Sequence, residues 1–140
     1  MKIEVLDTTL RDGAQAEGVT LSIDDKAECI RLFDDLKIDY IEAGTPFANP
    51  KDKKRLCDDD AKTINSHLVA FGSTRHKNNL TDEDSALNML SLSKTQFVSV
   101  VGKSSVTQAE KVLQVSAQNN LKMIYDSIRF LCDRNKTVSF

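Results

Sequence analysis

The sequence predicts an α/β fold built on a parallel β-sheet, and two observations support this prediction. Five short apolar segments of strand character alternate with longer segments in which apolar residues recur at helical spacing, about every 30 residues. This alternation is typical of parallel strands joined by right-handed helical crossovers. Polar loops also follow the strands, so they share one edge of the sheet. A five-stranded doubly wound sheet and a truncated (βα)8 barrel both fit the pattern.

The composition indicates one globular domain over residues 1–140. The chain has 140 residues, of which 40% are hydrophobic and 29% charged, and its formal net charge is −2. A nucleic-acid-binding protein would need a basic excess, and no apolar run approaches the roughly 20 residues of a membrane span. We therefore expect neither nucleic acid nor membrane as a partner. The three cysteines form no CxxC pair, and the N-terminal segment is acidic, which favours a cytoplasmic protein.

The first two βα units occupy the N-terminal half of the chain. Residues 2–6 are predicted to form the first strand, and a capping box after the polar loop begins a helix that ends near Lys37. A second strand over residues 40–44 ends in a Gly-Thr-Pro loop. An Asn-Pro pair then predicts the start of a charged helix over residues 51–65.

The third unit begins with a strand over residues 68–72, whose loop carries Ser, Thr and Arg. The acidic segment 81–84 is predicted to cap a third helix with a short apolar stripe. Residues 96–101 form the predicted fourth strand, which ends in Gly-Lys-Ser. That tripeptide lacks the upstream glycine of a phosphate-binding loop, and no GxGxxG motif follows the first strand.

The last segments complete the fourth unit and begin a fifth. A capping box at residues 107–110 predicts a helix that extends to about Asp133. A continuous helix of that length is unusual in a globular domain, so we expect a break near residues 116–120. Residues 137–140 are typical of the start of a fifth strand.

The loop after the first strand concentrates functional groups. Residues 6–18 contain two Asp, one Arg, one Gln, one Glu, two Thr and two Gly. Parallel α/β enzymes place their chemistry after apolar strands of this kind. Carboxylates there can bind a hard metal ion, and an arginine can orient a carboxylate or keto-acid substrate. The alternative is an ordinary βα loop whose acidic residues cap the next helix.

Residues 7–15, with the sequence DTTLRDGAQ, resemble the signature of the acyl-CoA condensing synthases and related lyases. This resemblance implies a partial TIM (βα)8 barrel of about four βα units plus a fifth strand. It identifies residues 1–140 as the N-terminal portion of a synthase catalytic domain. Further segments resemble the citramalate synthase branch of the citramalate and 2-isopropylmalate synthase family: 15–18, 40–42, 49–52, 68–75, 102–104 and 120–124.

The resemblance implies an acyltransferase of isoleucine or leucine biosynthesis. Such enzymes join the methyl carbon of acetyl-CoA to a 2-oxo acid, pyruvate or 2-oxoisovalerate, with a divalent metal ion such as Mg, Mn or Zn. Asp12 would be a metal ligand, and Arg11 would bind the substrate and stabilise the developing alkoxide. Glu42, after the second strand, would support Arg11 or the substrate in a catalytic role.

Three further residues are candidates for substrate binding by the same resemblance. Gln15 would be a second polar contact in the first loop, and Thr74 and Arg75 would contribute from the rim after the third strand. A structural ion pair between Glu42 and Arg75 across the sheet is the alternative for those two residues. Lys103 and the serine after it are assigned to the start of the next helix and to solvent contacts.

The chain also departs from the family pattern. The family's metal site requires a His-x-His pair, whereas the histidines of this chain are His67 and His76, nine residues apart. We interpret His67 as structural, before the third strand, and His76 as a rim residue. The sequence ends at Phe140, before the carboxylate expected after the fifth strand. The Gly-Thr-Pro loop resembles the related synthases more than the citramalate type, so the choice of 2-oxo acid stays open.

A (βα)8 barrel needs about 250 residues, so this sequence predicts an open half-barrel. We expect self-association through the open sheet edges, no enzymatic activity of the chain alone, and no tight binding of a metal ion or other cofactor. The alternative is a stand-alone binding or structural protein that holds a small carboxylate at Arg11.

Overall fold

A computed structural model describes residues 2–58 and 62–140, and it contains one open sheet of five parallel strands in the order β1-β2-β3-β4-β5. The strands are β1 (Leu6–Asp7), β2 (Tyr40–Gly44), β3 (His67–Ser73), β4 (Phe97–Val101) and β5 (Thr137–Ser139). A doubly wound sheet reverses its strand order at a switch point, and no reversal occurs within the described residues. The structure therefore confirms the partial (βα)8 barrel.

The helices connect successive strands. They are α1 (Ile23–Asp35), α2 (Pro50–Lys53), α3 (Ser85–Leu92), α4 (Val106–Gln108) and α5 (Ala117–Cys132); π-helical turns at Lys54–Asp58 and Ala109–Leu113 extend α2 and α4. Among the described residues, no helix is both long and apolar enough to cross a bilayer.

Alternate strand residues pack against the helices and form the core. The strand side chains in this cluster are Ile41, Ala43, Leu68, Ala70, Val98 and Val100. They contact buried residues of the helices and of the first loop: Leu10, Ile30, Leu56, Leu87, Leu90, Phe130 and Leu131. Burying one face of each strand under the crossovers is what a barrel wall requires.

The opposite face of the sheet, which we call the inner face, carries the other alternate residues. A cavity of about 270 Å³ on this face is lined by residues of the strands and by Glu4, without a helix of the described chain. The His67 ring lies on the same face, with its centroid 4.5 Å from that of Phe97 and 5.4 Å from that of Tyr40. His67 is the first residue of β3, so it lies at the end of the sheet away from the polar loops.

Two predicted elements differ from the structure in their boundaries. β1 covers only Leu6–Asp7 and therefore shares one residue with the predicted strand 2–6, although the N–H of Val5 donates to the Asp39 carboxylate at 2.9 Å. The helix predicted over residues 51–65 ends earlier: residues 62–65 are not helical, because the Asp34 carboxylate binds the N–H groups of that loop. The part of this prediction on residues 59–61 lies outside the described residues.

The predicted capping box at residues 107–110 is wrong, whereas the predicted break in the following helix is confirmed. α4 begins after Ser105, which makes no side-chain cap, and the helix soon widens into a π-helical turn. Gln114 then adopts a left-handed conformation with φ of 57°. Ser116 then caps the start of α5, because its hydroxyl accepts a hydrogen bond from the N–H of Asn119 at 3.2 Å.

β2 contains a bulge close to the polar edge of the sheet. Glu42 pairs with Val69, but Gly44 pairs with Ala70, so one residue of β2 is extra between the two pairs. Behind the bulge, the buried Asp52 carboxylate accepts the N–H of Thr45 at 2.9 Å and the ammonium of Lys26 at 2.5 Å. Both charges are buried, so each needs the other to offset its desolvation. This pair ties the end of β2 to α1 and α2.

Candidate active site

The loop after β1 is folded around one carbonyl group. The Thr8 carbonyl accepts the N–H groups of Arg11 at 3.1 Å, Asp12 at 2.8 Å and Gly13 at 3.3 Å. Leu10, which lies in sequence between Thr8 and these three donors, has a side chain that is completely buried in the core. Because Leu10 is anchored inward, the neighbouring polar side chains are held at the carboxyl-terminal edge of the sheet.

Arg11 is fixed by three contacts from three different segments. Its Nε donates to Glu42 Oε2 at 2.6 Å, and its Nη1 donates to Asp12 Oδ1 at 2.8 Å. The guanidinium carbon lies 4.1 Å from the centroid of the Phe71 ring. A guanidinium stacked on an aromatic face gains cation–π energy of about 0.5–2 kcal/mol, depending on its exposure. Arg11 is thus oriented by β2 and β3 together.

The Arg11–Glu42 pair is an interaction of unequal burial. The Glu42 side chain is 1% exposed, whereas that of Arg11 is 18% exposed. A carboxylate this deeply buried is costly unless a cation pairs with it, so Glu42 depends on Arg11. Arg11 in turn keeps its Nη2 without a hydrogen-bond partner among the described residues. The geometry therefore offers an oriented guanidinium with donors available to a small anion or carbonyl oxygen.

Asp12, the metal ligand predicted from the sequence, is not part of a larger set of candidate metal ligands among the described residues. The Asp12 side chain is 63% exposed, and it pairs with Arg11. No group of three or more His, Cys, Asp or Glu side chains suited to a metal ion occurs in the part of the chain that the structure describes. Divalent metals require several such ligands, so the residues present do not by themselves fit a divalent metal.

The remaining predicted site residues lie apart from Arg11. Gln15 is exposed at the end of a short 3-10 helix (Gly13–Gln15) in the same loop. Thr74 and Arg75 follow β3, where the N–H of Thr74 donates to the Val101 carbonyl at 3.1 Å. Their substrate-binding roles stay predictions.

Arg75 is bound within the protein and does not pair with Glu42. Its Nη2 donates to Asp126 Oδ2 at 3.0 Å, and its Nη1 donates to the Asn79 carbonyl at 3.0 Å. Burial opposes ionisation of Asp126, but hydrogen bonds from Lys122 and Arg75 outweigh it, so the pKa of Asp126 is lowered. Arg75 therefore joins the β3 loop to α5.

A second feature of the same edge is a cavity of about 530 Å³ between the loops after β3 and β4. We call it the rim cavity; its polar wall consists of Ser73, Thr74, Arg75, His76, Lys77, Asn79, Asp84, Ser85 and Lys103. Within the described residues, neither Arg11 nor Glu42 lines it. This size is typical of small-molecule sites.

Asp84 organises the wall of the rim cavity. Its carboxylate caps α3 by accepting the N–H groups of Ala86 and Leu87 at 3.1 Å, and it also accepts the N–H of His76 at 2.9 Å. Burial opposes its ionisation, but these hydrogen bonds and one from Asn79 lower the pKa of Asp84 overall. The loop after β3 is thus attached to the start of α3.

Two residues to which the sequence assigned no functional role contribute to this edge. The Phe71 ring packs against the Arg11 guanidinium. The sequence could have indicated this role, because Phe71 lies two residues after Val69 and therefore on the same inner face of β3. Lys103, assigned from sequence to solvent, lies half-buried in the wall of the rim cavity. Its neighbours come from β3 and α5, which sequence spacing does not reveal.

The fold and this edge define a class of protein: a (βα)-barrel half with polar groups gathered at the carboxyl ends of its strands, where barrel enzymes place their chemistry. The chain belongs to the HMGL-like family, whose model matches residues 2–140. This membership confirms the family that the motif at residues 7–15 indicated.

Similarity to individual proteins supports the same assignment. The chain is 40% identical over 130 residues to (R)-citramalate synthase of Sulfolobus acidocaldarius, covering 92% of this chain and 25% of that protein. It is 32% identical over 139 residues to 2-isopropylmalate synthase of Shouchella clausii, covering 99% of this chain and 26% of the other. The chain thus spans about a quarter of the length of these curated relatives.

A solved structure shares the fold. The HMG-CoA lyase of Bacillus subtilis superposes with a TM-score of 0.72 at 17% identity, covering 98% of this chain and 45% of the lyase. At that identity the likeness supports the fold alone. It agrees with a half-barrel, because the matched part is less than half of the lyase chain.

Proposed function

We propose that this chain is the N-terminal part of a condensing synthase that joins acetyl-CoA to a 2-oxo acid, pyruvate or 2-oxoisovalerate. The observation behind this proposal is the oriented Arg11 guanidinium, fixed at Nε and Nη1 and unpaired at Nη2 among the described residues. Relatives named citramalate and 2-isopropylmalate synthase support the reaction class. The proposal places the protein in the cytoplasm and in isoleucine or leucine biosynthesis.

The role of Arg11 follows from charge. A carbon nucleophile that attacks the keto group of a 2-oxo acid leaves negative charge on the former carbonyl oxygen. Preorganised N–H donors next to that oxygen stabilise the transition state more than the substrate. Arg11 is suited to this role because Glu42 and Phe71 hold it in place before the substrate binds.

The proposed roles of the other residues are supporting ones. Glu42 positions Arg11 through its buried carboxylate, and Gln15 and Thr74 offer polar groups on either side of the strand ends. Arg75 orients the β3 loop through Asp126. A divalent metal would need ligands beyond Asp12, so we assign no step to it.

We further propose that the chain alone is inactive and self-associates through its open edges. The inner face and the unpaired sides of β1 and β5 are surfaces that a closed barrel would cover. An active form would need the remaining strands of a barrel.

The test is a condensation assay with acetyl-CoA and either 2-oxo acid, with free thiol release as the readout. We expect no turnover from the chain alone and turnover after co-refolding with a segment of a citramalate synthase that carries the remaining strands. Arg11→Gln should abolish the restored activity, whereas Arg31→Gln on the exposed face of α1 should leave it unchanged. Restored activity that survives Arg11→Gln would contradict the proposal.

The second candidate function is a stand-alone protein that holds a small carboxylate at Arg11, favoured by the unpaired Nη2. In that case the chain alone should bind pyruvate, as seen in amide shifts of the loop after β1. Complementation would then give no turnover in any combination.

A further inference from the structure

The rim cavity has a positive wall in an acidic protein. Arg75, Lys77 and Lys103 contribute three cations and Asp84 contributes one carboxylate, and the Asp126 carboxylate offsets Arg75, so the net formal charge of these five groups is +1. The whole chain has a formal charge of −2. A cavity lined by one sign of charge concentrates ligands of the opposite sign.

Two of these cations already have partners. Arg75 is bound by Asp126 and by the Asn79 carbonyl, and the Lys77 ammonium donates to the Leu113 carbonyl at 3.0 Å. The Lys103 ammonium, in contrast, has no hydrogen-bond or ion-pair partner in the described residues. A half-buried ammonium without a counter-charge is the natural partner of an anionic ligand.

The main chain of Lys103 is held firmly although its ammonium is unpaired. The Asn120 side-chain amide, which is 5% exposed, donates to the Lys103 carbonyl at 2.6 Å. Just before it, Gly102 packs so closely on Phe140 and Ile124 that a Cβ would crowd both. The base of the Lys103 side chain is therefore fixed by α5 and by the end of β5.

The rest of the wall is amphipathic. The hydroxyls of Ser73 and Thr74 have no hydrogen-bond partner in the described part of the chain, so both can donate to a ligand. Val101 and Leu113 also line the cavity, and Met123, which is buried, closes it. A ligand with an anionic head and an apolar body matches such a wall.

We propose that the rim cavity is a binding site for an organic phosphate, with Lys103 as the ion-pairing group. The Ser73 and Thr74 hydroxyls hydrogen-bond the phosphate oxygens, and the apolar wall covers the organic part. A phosphate monoester is close to a dianion at pH 7, so it attracts the unpaired Lys103 ammonium more strongly than a monoanionic carboxylate does. The proposal is independent of the condensing chemistry at Arg11.

The experiment is a titration of the ¹⁵N-labelled chain with n-butyl phosphate at pH 7.5, followed by amide chemical shifts. Saturable shifts are expected at Thr74 and Lys103. Lys103→Gln should raise the Kd about tenfold, the loss expected for one charge-assisted hydrogen bond, and Lys103→Arg should keep it within about threefold. Lys111→Gln, which removes an exposed charge from the neighbouring π-helical turn, is the matched control.

Several results would overturn the proposal. These are the absence of saturable shifts, an unchanged Kd in Lys103→Gln, shifts centred on the loop of Arg11, and equal or tighter binding of pentanoate. The amide spectrum of each variant reports its folding, and Lys103→Arg separates loss of charge from loss of structure. Arg11→Gln should keep n-butyl phosphate binding, so failure of this site and failure of the condensing function are distinguishable.

Discussion

The carboxylate of Asp52 occupies the space where a Cβ on Gly44 would stand. Gly44 ends β2 with φ of 146°, a backbone conformation that residues other than glycine rarely adopt. The same carboxylate binds the Thr45 N–H and the Lys26 ammonium, so it cannot move aside without losing both. One glycine thereby permits the bulge that follows Glu42 at the end of β2.

Gly44→Ala should destabilise the fold by about 3 kcal/mol or more, because backbone strain adds to displacement of a buried ion pair. Urea unfolding followed by circular dichroism measures the change. Gly13→Ala is the control, since its Cβ would meet only ordinary contacts with Thr9 and its φ is not positive. Equal stability of the two variants would show that the Asp52 contact is not constraining.

The Arg11–Glu42 pair should show strong energetic coupling. In a double-mutant cycle of Arg11→Met and Glu42→Gln, Arg11→Met alone should cost about 3 kcal/mol, because it leaves a buried carboxylate unpaired. The cycle should give a coupling energy above about 1 kcal/mol by urea unfolding. The matched exposed pair, Arg31 with Asp35, should couple by less than about 0.5 kcal/mol. Similar coupling in both cycles would argue against a special role for Glu42.

Asp34 should make stability depend on pH. Burial opposes its ionisation, but the N–H groups of Ile64, Asn65 and Ser66 outweigh burial, so the pKa of Asp34 is lowered. A lowered pKa contributes stability above the unfolded value of about 4, and this contribution is lost as the pH falls further.

Asp34→Asn should therefore cost about 2 kcal/mol near pH 7, and the difference from wild type should shrink below pH ~4. Urea unfolding at a series of pH values measures it. Asp35→Asn, at an exposed position of the same helix, should have little effect. A difference that stays constant down to pH ~3 would contradict the assigned hydrogen bonds.

The cysteines should differ in reactivity. Burial, with a smaller effect of the Asp58 charge, raises the pKa of the Cys57 thiol, whereas Cys132 is exposed. Because the thiolate is the reactive form, iodoacetamide at pH 8 should modify Cys132 at least about tenfold faster than Cys57. Peptide mass mapping measures both rates, and the difference should vanish in urea. Equal rates in the folded protein would contradict the packing around Cys57.

Self-association should depend on the inner face of the sheet. Leu6 lies on β1, an edge strand, and is 42% exposed. Leu6→Lys places a charge where strands would pair or pack, so light scattering should detect a smaller assembly. Leu121→Lys on the exposed side of α5 should leave the assembly unchanged. A monomeric wild-type chain at high concentration would refute the proposed association.

Much of the fold follows from local patterns, and the failures have local reasons. Strands two to five and the break before α5 follow from apolar periodicity and from start and stop signals. The helix predicted over residues 51–65 is shorter because its last residues donate to Asp34, a partner about 30 positions away. Long-range hydrogen bonds of this kind override local propensity and leave no periodic signal.

The sequence by itself determined the class of fold and the family, and it predicted a site in the loop that carries Arg11 and Asp12. Only the tertiary structure decided the partners of the charges. Glu42 pairs with Arg11, and Arg75 pairs with Asp126, whereas the sequence also allowed a Glu42–Arg75 pair. The physical reason is packing: β2 lies beside β1, and α5 packs near the loop after β3, so the charges that meet come from residues far apart in the chain.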